Sequence, residues 1–358
     1  MSEMKDMIVD VVERMLKEKV DKELVDTVEQ GHWAPELWDL FKENGMTAVA
    51  ITEENGGAGG DIEDLLNIVR LTGKYAAPIP FAETTFANYL LEFTSLQVIE
   101  DLATYMLCPN QAFTLENGKL TGEAMQVPWA RHTKHLVTLA HSTEGTHLVE
   151  IDLSQAEIKL STNLASEPRD TVIVNHAKVS QISAVLSYDK IHAITTLNTA
   201  FQLALMTGAV DKINDLTVQY TKEREQFGRP IHRFQLVQQH IVHLAGETAI
   251  ALAAFNNVTE ALQTNSQNSE VAYARIRFEE IIQAVTTIAH QVHAAIGTTH
   301  EHSLHQFTRR LWSWRDEGVS TSYWTHFVAT QLLENSGDSL WGYLTSFSAS
   351  SPLLKVEG

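Results

Sequence analysis

Apolar positions along this chain change their period twice, and the changes divide it. From the N-terminus to about Val98 they recur at helical spacing. Met7, Val11, Met15 and Val20 mark one apolar stripe, and Pro35 opens a second helix at its first turn, where a missing N–H costs nothing. Gly73, Pro78 and Pro80 interrupt the helices late in this region. From about Glu100 to Val185 the runs turn short, β-branched and partly alternating: HLVTLA (135–140), HLVEIDL (147–153) and TVIVNHAKV (171–179), with Gly, Asn and Pro between them. Asn117-Gly118 ahead of Lys119 has the chemistry of a tight hairpin turn. After Tyr188 the helical period returns through residues 196–220, then through a helix after Pro230 carrying Val237, Ile241, Leu244 and Ala245, then through residues 269–297. Ser-rich residues 344–351 read as a frayed tail. No internal repeat or low-complexity block is present. The order predicts an α+β chain, mainly α, with two helical regions flanking a small β-domain. The expected divisions are 1–98, 99–187, 188–343 and a tail of 344–358.

Composition narrows this picture without naming it. A chain of 358 residues has ample material for a buried core, as one large unit or as two or three compact ones. Its 45 acidic against 26 basic residues leave a net charge of −19. That argues against a nucleic-acid surface, because phosphate backbones are held by concentrated Lys and Arg. The single cysteine, Cys108, excludes an intrachain disulfide. No apolar run reads as a membrane span, and the charged start MSEMKDMIVD does not read as a signal peptide. A cytoplasmic protein is expected.

The most telling segment is Tyr220–Gln239, YTKEREQFGRPIHRFQLVQQ. Gly228 and Pro230 break the helical pattern, so the segment joins two helices and Arg224 falls close to the end of the first. A guanidinium in that place is suited to forking onto a phosphate; a solvated connecting loop would carry the same charges. The wording itself resembles the signature of the acyl-CoA dehydrogenase family: an Arg, then Gln-Phe-Gly, then Pro-Ile, Phe-Gln and Val-Gln. The resemblance implies that Arg224 and Gln226, with Phe227, Phe234 and Gln235, bind the diphosphate of an FAD held by a neighbouring subunit.

Other passages extend the resemblance over nearly the whole chain. Residues 38–61, WDLFKENGMTAVAITEENGGAGGD, resemble the family's N-terminal passage. Their glycines Gly56, Gly57, Gly59 and Gly60 do not make a dinucleotide cradle, because Ile62 stands where the third glycine is needed, and no Lys-Ser/Thr follows for a P-loop. A structural turn is expected there. In the central region Gln126-Val127-Pro128 stands where the family has Trp-Ile-Thr/Ser. That step resembles the shorter, divergent members, especially subunits that pair with an unlike dehydrogenase-type chain. Residues 290–324 resemble the family's Gln-x-x-Gly-Gly-x-Gly element, which lies near the adenosine–diphosphate part of FAD. Gln291 and Gly297 match, whereas Ala294 and Ala295 replace the paired glycines.

The family's reaction removes the α-proton of an acyl thioester while a hydride leaves the β-carbon for the flavin. A tuned carboxylate takes the proton. An ungapped count from Gln291 puts Gly318 on the base position and Glu317 one residue early, about 100° away on a helix. A one-residue shift at Gly297 restores Glu317. The family's alternative base position falls on Asn198, an amide that cannot act as a base. Asp316 and Glu317 read otherwise as helix-surface partners of Arg309, Arg310 or Arg315. Five histidines crowd the same block: His290, His293, His300, His302 and His305. They read as packing rather than a metal site, since no cysteine or third ligand stands at a recognised spacing.

The resemblance implies an N-terminal helical domain, a central small β-domain and a C-terminal four-helix-bundle domain. It further implies an acyl-CoA thioester as substrate and an electron-transfer flavoprotein as acceptor. The expected assembly is a homo- or hetero-oligomer in which this chain completes an FAD site and an unlike dehydrogenase-type subunit supplies the carboxylate. A self-sufficient homo-oligomer using Glu317, and a scaffold that has lost FAD, remain as alternatives.

Overall fold

A computed structural model describes residues 2–107, 113–264 and 269–335. Cys108 and the tail from 344 lie outside the described residues. Contacts divide the chain into two units, one of residues 1–65 with 77–201, the other of residues 66–76 with the chain from Gln202 onward.

The first unit opens with α1 (Ser2–Lys19), α2 (Lys22–Glu29) and α3 (Pro35–Glu43). Asp21 caps α2 by accepting from the Leu24 N–H at 2.8 Å, and Pro35 sits at the first turn of α3 as expected. The α1 stripe differs from its expected register. Val12 and Leu16 are fully buried while Met7 is 59% exposed, because Val11, Val12, Met15 and Leu16 make a broad apolar face whose centre packing chooses. Two glycines of the Gly-rich turn have a packing reason: a Cβ at Gly57 would lie 2.1 Å from the Ile51 carbonyl oxygen, and one at Gly60 would lie 2.6 Å from that of Val49. The turn is structural.

Helix α4 (Ile62–Tyr75) leads to α5 (Phe81–Phe93), which is buried from Phe81 through Asn88 and again at Leu90 and Leu91. Its buried polar groups are satisfied: Asn88 donates to the Ile99 carbonyl at 2.8 Å and accepts from the Ile99 N–H at 2.7 Å. Beside it runs an eight-stranded sheet: β1 (Ala103–Met106), β2 (Phe113–Glu116), β3 (Lys119–Pro128), β4 (His135–His141), β5 (Thr146–Asp152), β6 (Ala156–Lys159), β7 (Arg169–Lys178) and β8 (Gln181–Ile182). The order is β6-β7-β3-β2-β4-β5-β8, with β1 parallel to β4. Asn117 and Gly118, at φ +51° and +71°, form the expected two-residue hairpin between Glu116 and Lys119. The Gln126-Val127-Pro128 step carries a register shift in β3, with Gln126 at φ +57°.

In the second unit the end of α4 crosses α6 (Tyr188–Glu223) at two glycines. A Cβ at Gly73 would sit 2.2 Å from the Leu205 carbonyl oxygen, and one at Gly208 would sit 1.9 Å from that of Arg70. Lys74 locks the crossing onto Asp211 at 3.0 Å. The chain then forms a short hairpin of β9 (Glu225–Gln226) and β10 (Arg229–Pro230), followed by α7 (Gln235–Gln263), α8 (Ser269–His293), α9 (Leu304–Asp316) and α10 (Thr321–Asn335). The helices number and lengths give an α+β chain that is mainly α, as expected.

One expectation needs correction. Two helices, α6 and α7, are long and apolar enough to cross a membrane by length and mean hydropathy, 1.2 in each. They differ in surroundings: 78% of that stretch is buried in α6, as for a core helix, but only 28% in α7. Leu236, Val242 and Ile250 on α7 are 63%, 72% and 43% exposed, with Ala245, Gly246, Ala249 and Ala253 exposed among them.

Candidate functional site

The signature segment folds as a tight hairpin between two long helices. Helix α6 ends at Glu223, and the Arg224 N–H still donates to the Tyr220 carbonyl at 2.9 Å. The Arg224 carbonyl then accepts from the Ile231 N–H at 2.8 Å, closing the hairpin's base. His232 donates through Nδ1 to the Thr221 carbonyl at 3.1 Å and ties the returning chain to the last turn of α6. Gln226 pairs with Arg229 across a two-residue turn of Phe227 and Gly228, both left-handed at φ +53° and +77°. Such a turn favours Asn-Gly, and a left-handed phenylalanine costs about 1–2 kcal/mol. The strain presents an aromatic ring that is 92% exposed, edge-on to Phe234 at 6.1 Å. Arg229 lies over the other ring, its guanidinium carbon 4.3 Å from the Phe234 centroid.

The Arg224 side chain is exposed and has no hydrogen bond or ion pair among the described residues. Gln226 and Gln235 are exposed beside it in sequence, and Phe234 is half-buried as the residue preceding α7. An unengaged guanidinium flanked by amides, with a backbone held rigidly from behind, is a donor set that suits a diphosphate.

The second implied segment lies at the end of α8. Gln291 is exposed in the last turn, and the chain turns through residues Ala294–Thr298. Ala294 is left-handed at φ +53°. The conformation for which glycine is suited is therefore still adopted, although alanine now occupies it. Ala294 and Ala295 are both exposed. Beneath them Gly297 is buried, and a Cβ there would lie 2.9 Å from His293 Cβ and 3.3 Å from His290 Nδ1.

His290 and His293 each stack on an aromatic ring and make one hydrogen bond within the protein. His293 is 1% exposed, stacks on Tyr220 at 4.4 Å and 20°, and donates through Nδ1 to the Ala289 carbonyl at 2.9 Å. Burial pushes its pKa down to about 4. His290 stacks on Trp312 at 5.6 Å, with Nε2 at 3.1 Å from Thr308 Oγ1, and burial lowers its pKa as well. His290 and His293 thus face different neighbours instead of converging on one centre.

The candidate base lies where α9 meets α10. Helix α9 ends at Asp316; Glu317 is extended at φ −89° and ψ 159°, half-buried, and its N–H donates to the Ser313 carbonyl at 3.1 Å. Asp316 pairs with Arg315 at 2.8 Å, a partner anticipated from the sequence. Gly318 is left-handed at φ +67°, and a Cβ there would lie 1.9 Å from the Gln202 amide nitrogen. A side chain at position 318 would have to displace the amide end of Gln202 and adopt a left-handed backbone. Asn198 is 4% exposed, and its Oδ1 has no partner among the described residues.

Two residues here were not singled out from the sequence. Gln202 reads as one more polar position on a long helix, with no local signal that it meets Gly318. Arg275 did leave a signal, a charge on the helix face of Val271, Ala272 and Phe278. It is 1% exposed and donates to the Arg315 carbonyl at 2.6 Å, holding the end of α9. Glu279 faces it at 3.6 Å and also accepts from the Thr321 hydroxyl at 3.0 Å. Burial lowers the Arg275 pKa from its ordinary value.

Comparisons with known proteins bear on the family and the fold. The model of the acyl-CoA dehydrogenase N-terminal domain matches residues 2–102, and that of the acyl-CoA dehydrogenase C-terminal domain matches residues 194–314. Acyl-CoA dehydrogenase IpdE2 of Mycolicibacterium smegmatis is 27% identical over 315 residues, covering 87% of this chain and 93% of that protein. Among solved structures, the Tcur3481–Tcur3483 steroid ACAD superposes with a TM-score of 0.84 at 17% identity, covering 94% of this chain and 99% of that one. The ChsE4–ChsE5 complex from Mycobacterium tuberculosis superposes with a TM-score of 0.81 at 18% identity, over 92% of this chain and 97% of that one.

Proposed function

The chain belongs to the acyl-CoA dehydrogenase family, whose enzymes are oxidoreductases acting on CH–CH bonds, and from that premise we propose that it is one subunit of a cytoplasmic hetero-oligomer in which it completes an FAD site. The observation that carries the reading is what two consecutive elements leave uncovered: the unengaged Arg224 guanidinium and the exposed Phe227 on the hairpin, and Leu236, Val242 and Ile250 on α7, which follows it. Apolar side chains of that size gain roughly 1.5–3 kcal/mol each on full burial. A second subunit laid along α7 would cover them and meet the hairpin at the same time.

When bound, the flavin supplies the redox chemistry by accepting a hydride from the acyl β-carbon. This chain's part is binding and orientation. Arg224 would hold the diphosphate by charge-assisted bonds, with Gln226, Gln235 and Gln291 adding neutral donors. The hairpin's backbone bonds and His232 keep Arg224 in place without help from the ligand. Phe227 and Phe234 would exclude water from the diphosphate, strengthening those bonds in a drier environment.

The proton is a separate matter. Of the three positions considered, 318 is a glycine packed on Gln202, 198 is a buried amide, and only Glu317 is a carboxylate. We assign the abstraction of the acyl α-proton to a carboxylate of the unlike subunit, with an electron-transfer flavoprotein as the acceptor from the reduced flavin. The ChsE4–ChsE5 pairing supports the assembly.

Glu317 itself favours a second reading. It is half-buried at the helix junction fixed by Arg275, and a homo-oligomer using it as base would need no partner. The variant Glu317→Gln separates the two. Unchanged α-proton exchange in the assembled enzyme fits the partner's carboxylate; loss of exchange with flavin still bound would move the base to this chain.

A further inference from the structure

The two segments proposed to contact flavin, the hairpin after α6 and the turn after α8, are joined by three stacked rings that the proposed function leaves without a role. Tyr220 stacks on His293 at 4.4 Å. His302 meets His293 edge-on at 4.7 Å and Tyr220 at 5.9 Å. Tyr220 is one turn before Arg224 and accepts that residue's N–H on its carbonyl. His293 lies two residues after Gln291 and immediately before the left-handed Ala294. Any change in the Tyr220–His293 stack therefore alters the distance between the two segments. We propose that the Tyr220–His293–His302 stack is a positioning brace that fixes this gap, and that it works only with both imidazoles neutral; the inference rests on the flavin-site reading above.

Hydrogen bonding states the neutrality independently of any titration. His293 uses Nδ1–H on the Ala289 carbonyl, and its Nε2 is buried without a partner among the described residues. A proton on that nitrogen would be a buried, unpaired N–H of a cation. His302 accepts the Leu304 N–H on Nδ1 at 3.0 Å, so its proton resides on Nε2, and a second proton would break that bond. The titratable neighbours of the stack are Glu223 from α6, acting on His302, and His290 from α8, acting on His293. Leu304 and Thr308 of α9 contribute no charge. Burial lowers the pKa of both imidazoles, which agrees with the geometry.

A direct phosphate-binding role for these histidines makes the opposite demands, so the two separate cleanly. FAD affinity is measured by flavin fluorescence on the chain with the subunits that accompany it in purification. His293→Phe keeps a ring to stack and removes the titration; retained affinity is expected. His293→Ala and Tyr220→Ala remove the stack, and a loss of about tenfold or more is expected, while Tyr220→Phe holds. The wild-type affinity is expected not to rise as the pH falls from 8, since FAD keeps both diphosphate charges and the brace gains nothing from protonation. Loss of affinity in His293→Phe, an unchanged His293→Ala, or affinity rising on acidification overturns the brace.

A second readout does not need flavin. Amide exchange of residues 226–231, followed by mass spectrometry, is expected to accelerate in His293→Ala and to remain slow in His293→Phe. Equal protection in both variants overturns the proposal. A wild-type assembly that binds no FAD at any pH contradicts the functional reading instead, and the exchange comparison still tests the brace.

Discussion

Arg224 is an arginine held at the base of a hairpin with no hydrogen bond or ion pair among the described residues, and flavin affinity is expected to turn on it. Arg224→Ala should weaken FAD binding by roughly 1.5–3 kcal/mol, the range for a charged hydrogen bond; equal affinities in a fluorescence titration would remove it from the site. Ala294 makes a different prediction. Its left-handed φ of +53° costs about 1–2 kcal/mol in an L-residue, so Ala294→Gly should raise stability by about 0.5–1 kcal/mol in urea unfolding once glycine's extra chain entropy is subtracted. His293 sets a pH dependence. Its folded pKa, near 4, lies below the unfolded value near 6.5, so the unfolded chain binds more protons between those values. Stability should be complete above pH 6.5 and fall as pH drops toward 4, by no more than about 3 kcal/mol; His293→Phe should flatten that slope. At this scale the sequence singled out Arg224 by its motif, with its role a proposal, and was silent where a position depends on a distant neighbour. Nothing near Gln202 announces Gly318, and nothing near Tyr220 announces His293, because helices that are far apart in sequence bring them together.

Among the elements, the break and the two long helices flanking it were legible because Gly228 and Pro230 punctuate a strong helical period, whereas the β9–β10 hairpin within the break was not. Strands β4, β5 and β7 were legible too, with Asn117-Gly118 closing its hairpin where turn chemistry required. The α1 stripe was placed one residue off, since a face four residues wide does not say which position is its centre. The α4–α6 crossing was missed altogether. Gly73 was read as an interruption, yet it lies inside α4, and the reason for glycine is a carbonyl of α6 that would stand 2.2 Å from any Cβ. Because the obstacle is backbone, Gly73→Ala or Gly208→Ala should destabilise the chain by roughly 3 kcal/mol, the upper end of overpacking costs. Thermal unfolding checks this, and an unchanged midpoint would mean that the helices separate freely. Helix α7 carries the opposite test. Val242→Glu should leave helicity intact and shift sedimentation toward smaller species, because the side chain is 72% exposed in this chain and the proposed assembly buries it.

For the whole molecule, a net charge of −19 argues against a nucleic-acid surface but is silent on protein partners. Assembly has to be inferred from what the chain leaves uncovered and lacks: an apolar helix face beside the proposed diphosphate site, and a glycine packed on Gln202 where the ungapped count places the base. The most direct measurement is the visible spectrum of the chain purified alone and then with an unlike acyl-CoA dehydrogenase-type subunit, before and after anaerobic addition of acyl-CoA thioesters. The expected result is a flavin spectrum that bleaches only in the mixed assembly and disappears with Arg224→Ala. Flavin that is bound and bleached by the chain alone, with bleaching lost in Glu317→Gln, would contradict the account and make this a self-sufficient dehydrogenase.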